Sequence, residues 1–411
     1  MSWHRTRHLG RGLGLAVTIL MMMGLVAACD FEVEDPTAIT AGDLQSEAAM
    51  TGLMVGAVSS YDNAYNRLVM FTGLVSDEMI ASGSWPTWHE TSKEGRIDPY
   101  AYEGDHINIP WRMWRELQRA RGDADEAIEW MTEVLVSPET DARNAMVHLY
   151  AGMTYVDFGE TFCEAAYNGG SRVDPSVSFS LARERLQEAI SIAQSSPEQS
   201  LSGSSNTANV SSIAHMGHLL LARVAMEEGD YSAAISHAQE VPEGFEWVAH
   251  YPPGQGNYAW GNWMNRGEST VHEPFRNTGD PRVPVEESGV LGPDVTTTLW
   301  YQQKYEQDDY WPIGKWQEAR LIEAEARLAS QGDVAGAVSL MNEGRAVWGL
   351  DPISTDISEA EAWEHLRTET MYELWLEGRR MLLMRRWNEF PSGWADCLPI
   401  SGEEERTNPN L

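Results

Sequence analysis

Six stretches of the chain place apolar side chains at three- and four-residue spacing: Glu47–Asn66, Trp111–Leu135, Ala142–Phe158, Leu181–Ala193, Ser212–Glu228 and Trp316–Ser330. That period predicts amphipathic helices, and the two-residue alternation of a half-buried strand is scarce. A turn signature recurs between helical stretches. Gly122-Asp123 is followed by Ala127, Gly229-Asp230 by Ala234 and Gly332-Asp333 by Ala337. A glycine ends one helix in the left-handed conformation, an aspartate caps the next, and the small alanine lets the second helix pack close to the first. Two segments break the pattern. Residues 82–108 and 241–311 are rich in Gly, Pro, Asn and aromatic residues, a loop chemistry that does not continue a helix. The Ser/Asn-rich stretch 195–212 reads as an exposed linker between two helices.

The predicted fold class is mainly α: tetratricopeptide-like helix-turn-helix units carrying long, loop-rich insertions. The units stand about a hundred residues apart, so the chain is no tandem solenoid of short period. Upstream of the helices, Arg5, Arg7 and Arg11 precede an apolar run from Leu13 to Val26, and Leu25-Val26-Ala27-Ala28-Cys29 closes it. The run is short for a membrane span, and small residues before a cysteine form the pattern of a lipoprotein signal peptide. Residues 1–28 are therefore expected to be removed, with Cys29 acylated as a membrane anchor and 29–411 forming one domain. Acyl chains contribute roughly 0.8 kcal/mol per buried methylene, so several together hold a protein at a bilayer.

Charge narrows the partners. The chain has 29 basic and 62 acidic residues, and loss of the leader with its three arginines takes the formal charge from −33 to −36. Such a surface repels phosphates, which argues against nucleic acid and leaves membrane contact to the lipid. With Cys29 acylated, Cys163 and Cys397 are the two remaining thiols in an exported protein, and a disulfide between them is expected; the other reading is two separate buried thiols.

Several short motifs carry a resemblance. They are Asp30–Pro36 after the lipid cysteine, Leu74-Val75-Ser76-Asp77-Glu78, Phe158-Gly159-Glu160, Gly279-Asp280-Pro281-Arg282, the helix Glu318–Ala326, Asn342–Arg345, Glu373-Leu374-Trp375-Leu376-Glu377-Gly378-Arg379-Arg380 with Arg386-Trp387, and the tail Cys397–Ile400, Glu404 or Glu405, and Asn408-Pro409. Together they resemble the SusD/RagB family of surface lipoproteins over nearly the whole mature chain. The resemblance implies a SusD-like α-α superhelix that binds a nutrient and delivers it to a SusC-like TonB-dependent transporter at the outer membrane, facing outward. Departures occur at Glu369-Thr370, Leu383-Met384 and Ser401, where the family has Glu-Arg, Asp-Leu and proline. In some bacteria Asp30 directly after the cysteine retains a lipoprotein at the inner membrane; the outer membrane is taken from the resemblance.

No nucleophile elbow, zinc helix, phosphate loop or dinucleotide fingerprint is present, and no cofactor or metal is expected. His215 and His218 share a helix face, and Asp123, Asp125 and Glu126 make an acidic turn lacking the central glycine of a calcium loop; both read as structural. Glu373, Glu377 and Arg380 fall along one predicted helix face and read as an ion network, not a catalytic pair. The aromatics are more informative. Trp111, Trp114, Trp130, Trp348, Trp363, Trp375 and Trp387 have helical spacing and are expected in the core. The loop-rich insertions carry Trp85, Trp88 and Tyr100, then Tyr258, Trp260, Asn262, Trp263, Tyr310 and Trp311, the candidate ligand contacts: aromatic faces stack on sugar rings while polar neighbours bond hydroxyls. Trp260-Gly261-Asn262-Trp263 leads them. Each ring has a second reading, in which it pins its own loop to the helical body. The first functional expectation is capture of an oligosaccharide without bond cleavage; the same fold binding peptides, or a lipid-anchored glycosidase with paired carboxylates, are the alternatives.

Overall fold

The computed structural model describes residues 46–84, 92–93, 96–97, 108–201, 208–251 and 256–411. In chain order the principal helices are α1 (Glu47–Val75), α2 (Asn108–Val134), α3 (Ala142–Thr161), α4 (Pro175–Ser195), α5 (Val210–Glu227), α6 (Tyr231–Gln239), α7 (Trp316–Gln331), α8 (Val334–Val347), α9 (Glu359–Glu373), α10 (Arg380–Arg386) and α11 (Gly402–Thr407). The fold is mainly α, and each helix from α1 to α8 packs on its successor, with α9 also lying on α7. Helix α1 runs beyond the predicted Asn66 because Leu68–Val75 is buried on every side, so tertiary packing extends it after amphipathic spacing has ended. The close approach of α3 to α4 uses Gly159: a Cβ there would meet the Phe179 ring at 2.5 Å.

Two of the three Gly-Asp turns form as predicted. Gly229 (φ 73°) ends α5 and the Asp230 carboxylate accepts from Ala233 N; Gly332 (φ 61°) ends α7 and Asp333 accepts from Gly336 N. Ala234 and Ala337 are fully buried where the hairpins close. The third does not form. Gly122-Asp123 lies inside α2, whose buried face runs without a phase break through Met113, Leu117, Ala120, Ala124, Ala127, Ile128 and Met131. An interior glycine costs about 1 kcal/mol, less than one buried Leu or Ile contributes, so the continuous apolar stripe wins. Asp123 accepts from Ser60 Oγ. The acidic turn is thus helix surface, with Asp125 ion-paired to Arg121 and Arg185.

Strands are short: β1 (Met79–Ala81), β2 (Glu246–His250), β3 (Ser269–Val271), β4 (Val285–Leu291), β5 (Thr298–Gln302) and β6 (Tyr310–Lys315). They pair antiparallel as β1 with β3, β2 with β6, and β4 with β5. A two-residue ladder, Ser200–Leu201 against Ala208–Asn209, lies within the expected linker. The pairings join the roots of the two insertions. Ser82 and Gly83, where the first begins, donate their N–H groups to Glu268 O, and Ser82 Oγ donates to Gly267 O at 2.7 Å, both acceptors belonging to the second. Cys163 and Cys397 form a disulfide, Cα atoms 5.1 Å apart, that ties the end of α3 to the C-terminal tail. Ser401, the departure from proline, caps α11 through its hydroxyl.

A buried network of ions underlies this arrangement, and its centre is the segment from Glu373 to Arg386. The segment is not one helix: α9 ends at Glu373, Leu376 (φ 59°) and Gly378 (φ 73°) turn the chain, and α10 starts at Arg380. The expected ion network therefore exists, but it is built by a turn and not along a shared helix face. Glu377 accepts from Lys304 and Lys315 at 2.8 and 2.7 Å; Arg379 is paired with Glu160 and Glu318; Arg380 grips Asp77 through two bonds. Arg282 links Asp280 to Glu369, and Arg386 links Glu325 to Glu227. Gly378 is the steric point of the turn, because a Cβ there would stand 2.7 Å from Leu68 Cδ2 of α1. Gly378→Ala is expected to destabilise the fold by about 2–4 kcal/mol through left-handed strain plus overpacking, read as a lowered denaturation midpoint with unchanged slope.

Candidate functional site

The best-formed candidate is the turn that the sequence singled out. Asn257 caps it, its Oδ1 accepting from Trp260 N at 3.0 Å, and the helical turn Tyr258–Trp260 runs into a single π turn, Gly261–Asn265, closed by Arg266 N donating to Gly261 O. π turns are uncommon and displace side chains from the regular helical positions. Here the displacement divides the candidates. Asn262 and Trp263 point into the protein, 1 % exposed each, while Tyr258 and Trp260 remain partly exposed. Trp263 stacks on Trp311, ring centroids 5.7 Å apart, and Trp311 in turn meets Tyr251 and Tyr305. Trp263 and Trp311 therefore take the second reading, as core residues that fix the loop. Asn262 Oδ1 accepts from Ser269 Oγ, and its buried Nδ2 has no partner.

Tyr310 differs from its neighbour Trp311 because successive strand residues face opposite sides. It is 56 % exposed and stacks on His250 across the β2–β6 pair, with centroids 4.3 Å apart. Trp85, Trp88 and Tyr100, like Cys29, lie outside the described residues. Among the tryptophans expected in the core, Trp114 and Trp375 are buried, Trp130, Trp363 and Trp387 are partly buried, and Trp348 is 38 % exposed with its indole N–H on Glu373; the Trp111 ring is outside the description.

Three residues at the turn were invisible to sequence reasoning. Arg67 of α1 lies over the Tyr258 ring, 3.9 Å from its centroid; Arg266 is 5.3 Å from it; and Arg112 of α2 donates to the Tyr258 hydroxyl at 3.3 Å. Burial alone would raise the phenol, but the bond from Arg266 and the charges of Arg112 and Arg67 bring its pKa below the ordinary value. The one available signal was a charge, Arg67, inside the apolar run of α1.

The charged centre behind the turn is structural. Glu377 sits below the usual carboxylate range: burial would raise it, but Lys304 and Lys315 outweigh that. Glu78 is the exception. Its Oε1 accepts from Leu376 N at 2.8 Å and its Oε2 has no partner; burial, with Asp77 adding, pushes it up to about 8. His218 faces His237, Nδ1 atoms 3.0 Å apart, and His215 meets Glu240 O. Among the described residues no group of three or more His, Cys, Asp or Glu side chains is placed to hold a metal ion, and no helix is long and apolar enough to cross a membrane.

Solved structures share this architecture. A SusD-like carbohydrate-binding protein from Bacteroides vulgatus superposes with a TM-score of 0.65 at 15 % identity, over 88 % of this chain and 97 % of its own. A SusD superfamily protein from Parabacteroides distasonis gives 0.69 at 13 %, over 91 % and 99 %. A laminarin-binding SusD-like protein gives 0.67 at 17 %, over 89 % and 100 %. No family model and no curated protein sequence matches the chain. At these identities the likeness is one of fold, and the fold is SusD-like.

The Glu78 carboxyl makes stability depend on pH. Between the 4.5 of a free glutamate and about 8, the folded state keeps a proton that the unfolded state has lost, so stability falls as pH rises through that window. Asp157, raised to about 7 first by burial and then by Glu160, adds in the same direction. Glu78→Gln keeps the acceptor for Leu376 N and is expected to flatten the decline, measured by denaturant unfolding across the window at fixed ionic strength.

Proposed function

We propose that this chain is a lipid-anchored, surface-exposed protein of the SusD/RagB type that binds an oligosaccharide and hands it to a SusC-like TonB-dependent transporter in the outer membrane. The observation that carries this reading is the mounting of Tyr258 and Trp260: two partly exposed rings on a π turn whose next aromatic, Trp263, is locked into the core against Trp311. A ring held this way loses little freedom when a sugar stacks on it, so more of the contact energy appears as affinity. The SusD-like fold supports the reading, since one protein of that fold binds laminarin. Tyr310, exposed on β6, is a second platform, and Trp85, Trp88 and Tyr100 of the first insertion stay among the proposed ligand contacts.

Capture is an equilibrium step in which no bond is made or broken. Lipid on Cys29 keeps the binding domain beside the membrane, and release into the transporter follows from proximity without chemistry on the ligand. Residues 1–28 act as the cleaved leader in this scheme.

Binding of a glycan panel, laminarin oligosaccharides included, to the lipidated protein tests the proposal. Trp260→Ala is expected to weaken the best ligand by about 10-fold, while Tyr231→Ala on the helical body leaves it unchanged. Reducing ends released during incubation would make the protein a glycosidase, and affinity for peptides with none for sugars would assign the other ligand class. Cys29→Ala is expected to abolish incorporation of labelled fatty acid into the protein, and label retained by the variant would overturn the anchor.

A further inference from the structure

In a chain with 62 acidic and 29 basic residues, a cation without an acidic partner is conspicuous, and three meet at Tyr258. Arg67, Arg112 and Arg266 come from α1, α2 and the end of the π turn, and no carboxylate of the described residues stands within ion-pair distance of any of them. Arg67 is the most telling. Its Nε and Nη1 are buried and have no hydrogen-bond partner, although the guanidinium carbon stands over the phenol ring, 3.9 Å from its centroid. A buried donor left unmade costs about 1–3 kcal/mol, more when charged, and such groups in a native structure need an explanation.

Glu268 does not supply it. This acid feels the charge of Arg266 but makes no ion pair with it; burial raises the pKa of its own carboxyl, whose Oε2 has no hydrogen-bond partner. Mutual repulsion of three guanidinium groups is being held in place by the frame: Arg67 by the packing of α1, and Arg266 by the backbone bond that closes the π turn. Planar cations without an acidic partner, gathered around an aromatic ring, are complementary to a ligand that is both ring-shaped and negatively charged. Guanidinium forks bind carboxylate and sulfate oxygens through two parallel bonds, whereas a neutral hydroxyl uses only one.

We propose that the turn selects an acidic oligosaccharide, one whose sugar rings carry carboxylate or sulfate groups, with Arg67, Arg112 and Arg266 receiving the anionic group beside the stacking faces of Tyr258 and Trp260. This inference rests on the glycan-binding reading and specifies its ligand. It also sets this turn against cationic peptides, which the acidic surface as a whole would attract and these arginines would repel. Association is expected to be strongly salt-dependent, since the anion reaches a local positive site within a field of opposite sign.

Calorimetric titration of the full-length lipidated protein in neutral detergent tests it with matched probes: a galacturonate oligomer, its fully methyl-esterified and uncharged counterpart, a sulfated carrageenan oligomer, a neutral glucan oligomer and an oligoglutamate peptide. The expected result is that galacturonate or the sulfated oligomer binds at least about 10-fold more tightly than the uncharged ester, equivalent to one charge-assisted contact. Whichever of the two is preferred identifies the anionic group. Arg67→Gln and Arg266→Gln each remove most of that preference, Arg266→Lys keeps part of it, and Arg172→Gln, paired elsewhere with Glu164 and Glu405, leaves it intact. Arg266 is exposed, so its variant reads the effect even where replacing Arg67 disturbs folding. Equal affinity for acid and ester, or binding of the neutral glucan alone, overturns the inference and leaves the glycan reading standing. Binding of no sugar overturns the glycan reading itself, and arginine-dependent binding of oligoglutamate in place of sugars assigns an acidic peptide instead.

Discussion

The structure depends on one constraint: the buried charges converging on the turn after α9 must all be paired at once. Glu373, Glu377, Arg379, Arg380 and Arg386 sit within a short stretch of chain, and their partners arrive from α1's exit, α3, α5, α7 and the ends of β5 and β6. Removing one partner from a buried pair costs about 3–5 kcal/mol because the remaining charge has no water to turn to. Replacing whole pairs by apolar residues is often neutral, so the network is a poor explanation of how stable the fold is. It is a better explanation of why only one arrangement of these helices and insertions satisfies every ion.

That arrangement fixes where the aromatic turn stands. Lys304 and Lys315 bracket β6, and through Glu377 they hold the strand that carries Tyr310 outward and Trp311 inward. Asp77 and Glu78 do the same for β1, which leads into the first insertion: Arg380 grips one, and Leu376 N bonds the other. The first insertion therefore leaves from, and the second returns to, strand segments clamped to the same turn, and β1–β3 pairing joins the two insertions directly. The candidate site stands on loops, but loops rooted in a charge-locked frame. A binding surface needs that combination: sequence freedom at the tip and little conformational entropy to lose on contact.

The helices and most of their limits were legible because the 3.6-residue period survives in the sequence wherever one face is buried. Legibility failed where local signals and packing disagree. Gly122-Asp123 has the letters of a turn, yet the apolar stripe of α2 passes through it; Glu373, Glu377 and Arg380 have helical spacing, yet Gly378 turns the chain between them. At the candidate site, composition named Tyr258 and Trp260 among its candidates, but it had no means of separating these partly exposed rings from the buried Trp263 and Trp311. That separation is made by the π turn and by the alternation of β6, features of backbone geometry that composition does not encode. Arg67, Arg112 and Arg266 were beyond reach for a simpler reason, being distant in sequence and brought together only by the packing of α1 on α2 and the return of the second insertion.

The scarcity of cations makes their distribution informative. An acidic chain with few basic residues places many of its arginines and lysines where they neutralise buried acids: Arg223 on Glu318, Arg282 between Asp280 and Glu369, Lys315 between Glu373 and Glu377. Each is accounted for by the demand that buried charge be paired. The three arginines at Tyr258 meet no such demand, since no acid of the described residues pairs with them, and Arg67 itself carries buried donors without a hydrogen-bond partner. A group that the scaffold neither uses nor satisfies is explained more economically by what it meets from outside. The unpaired charges gather at the same partly exposed ring that the π turn holds at the surface, and two independent kinds of observation thereby select one small part of the molecule.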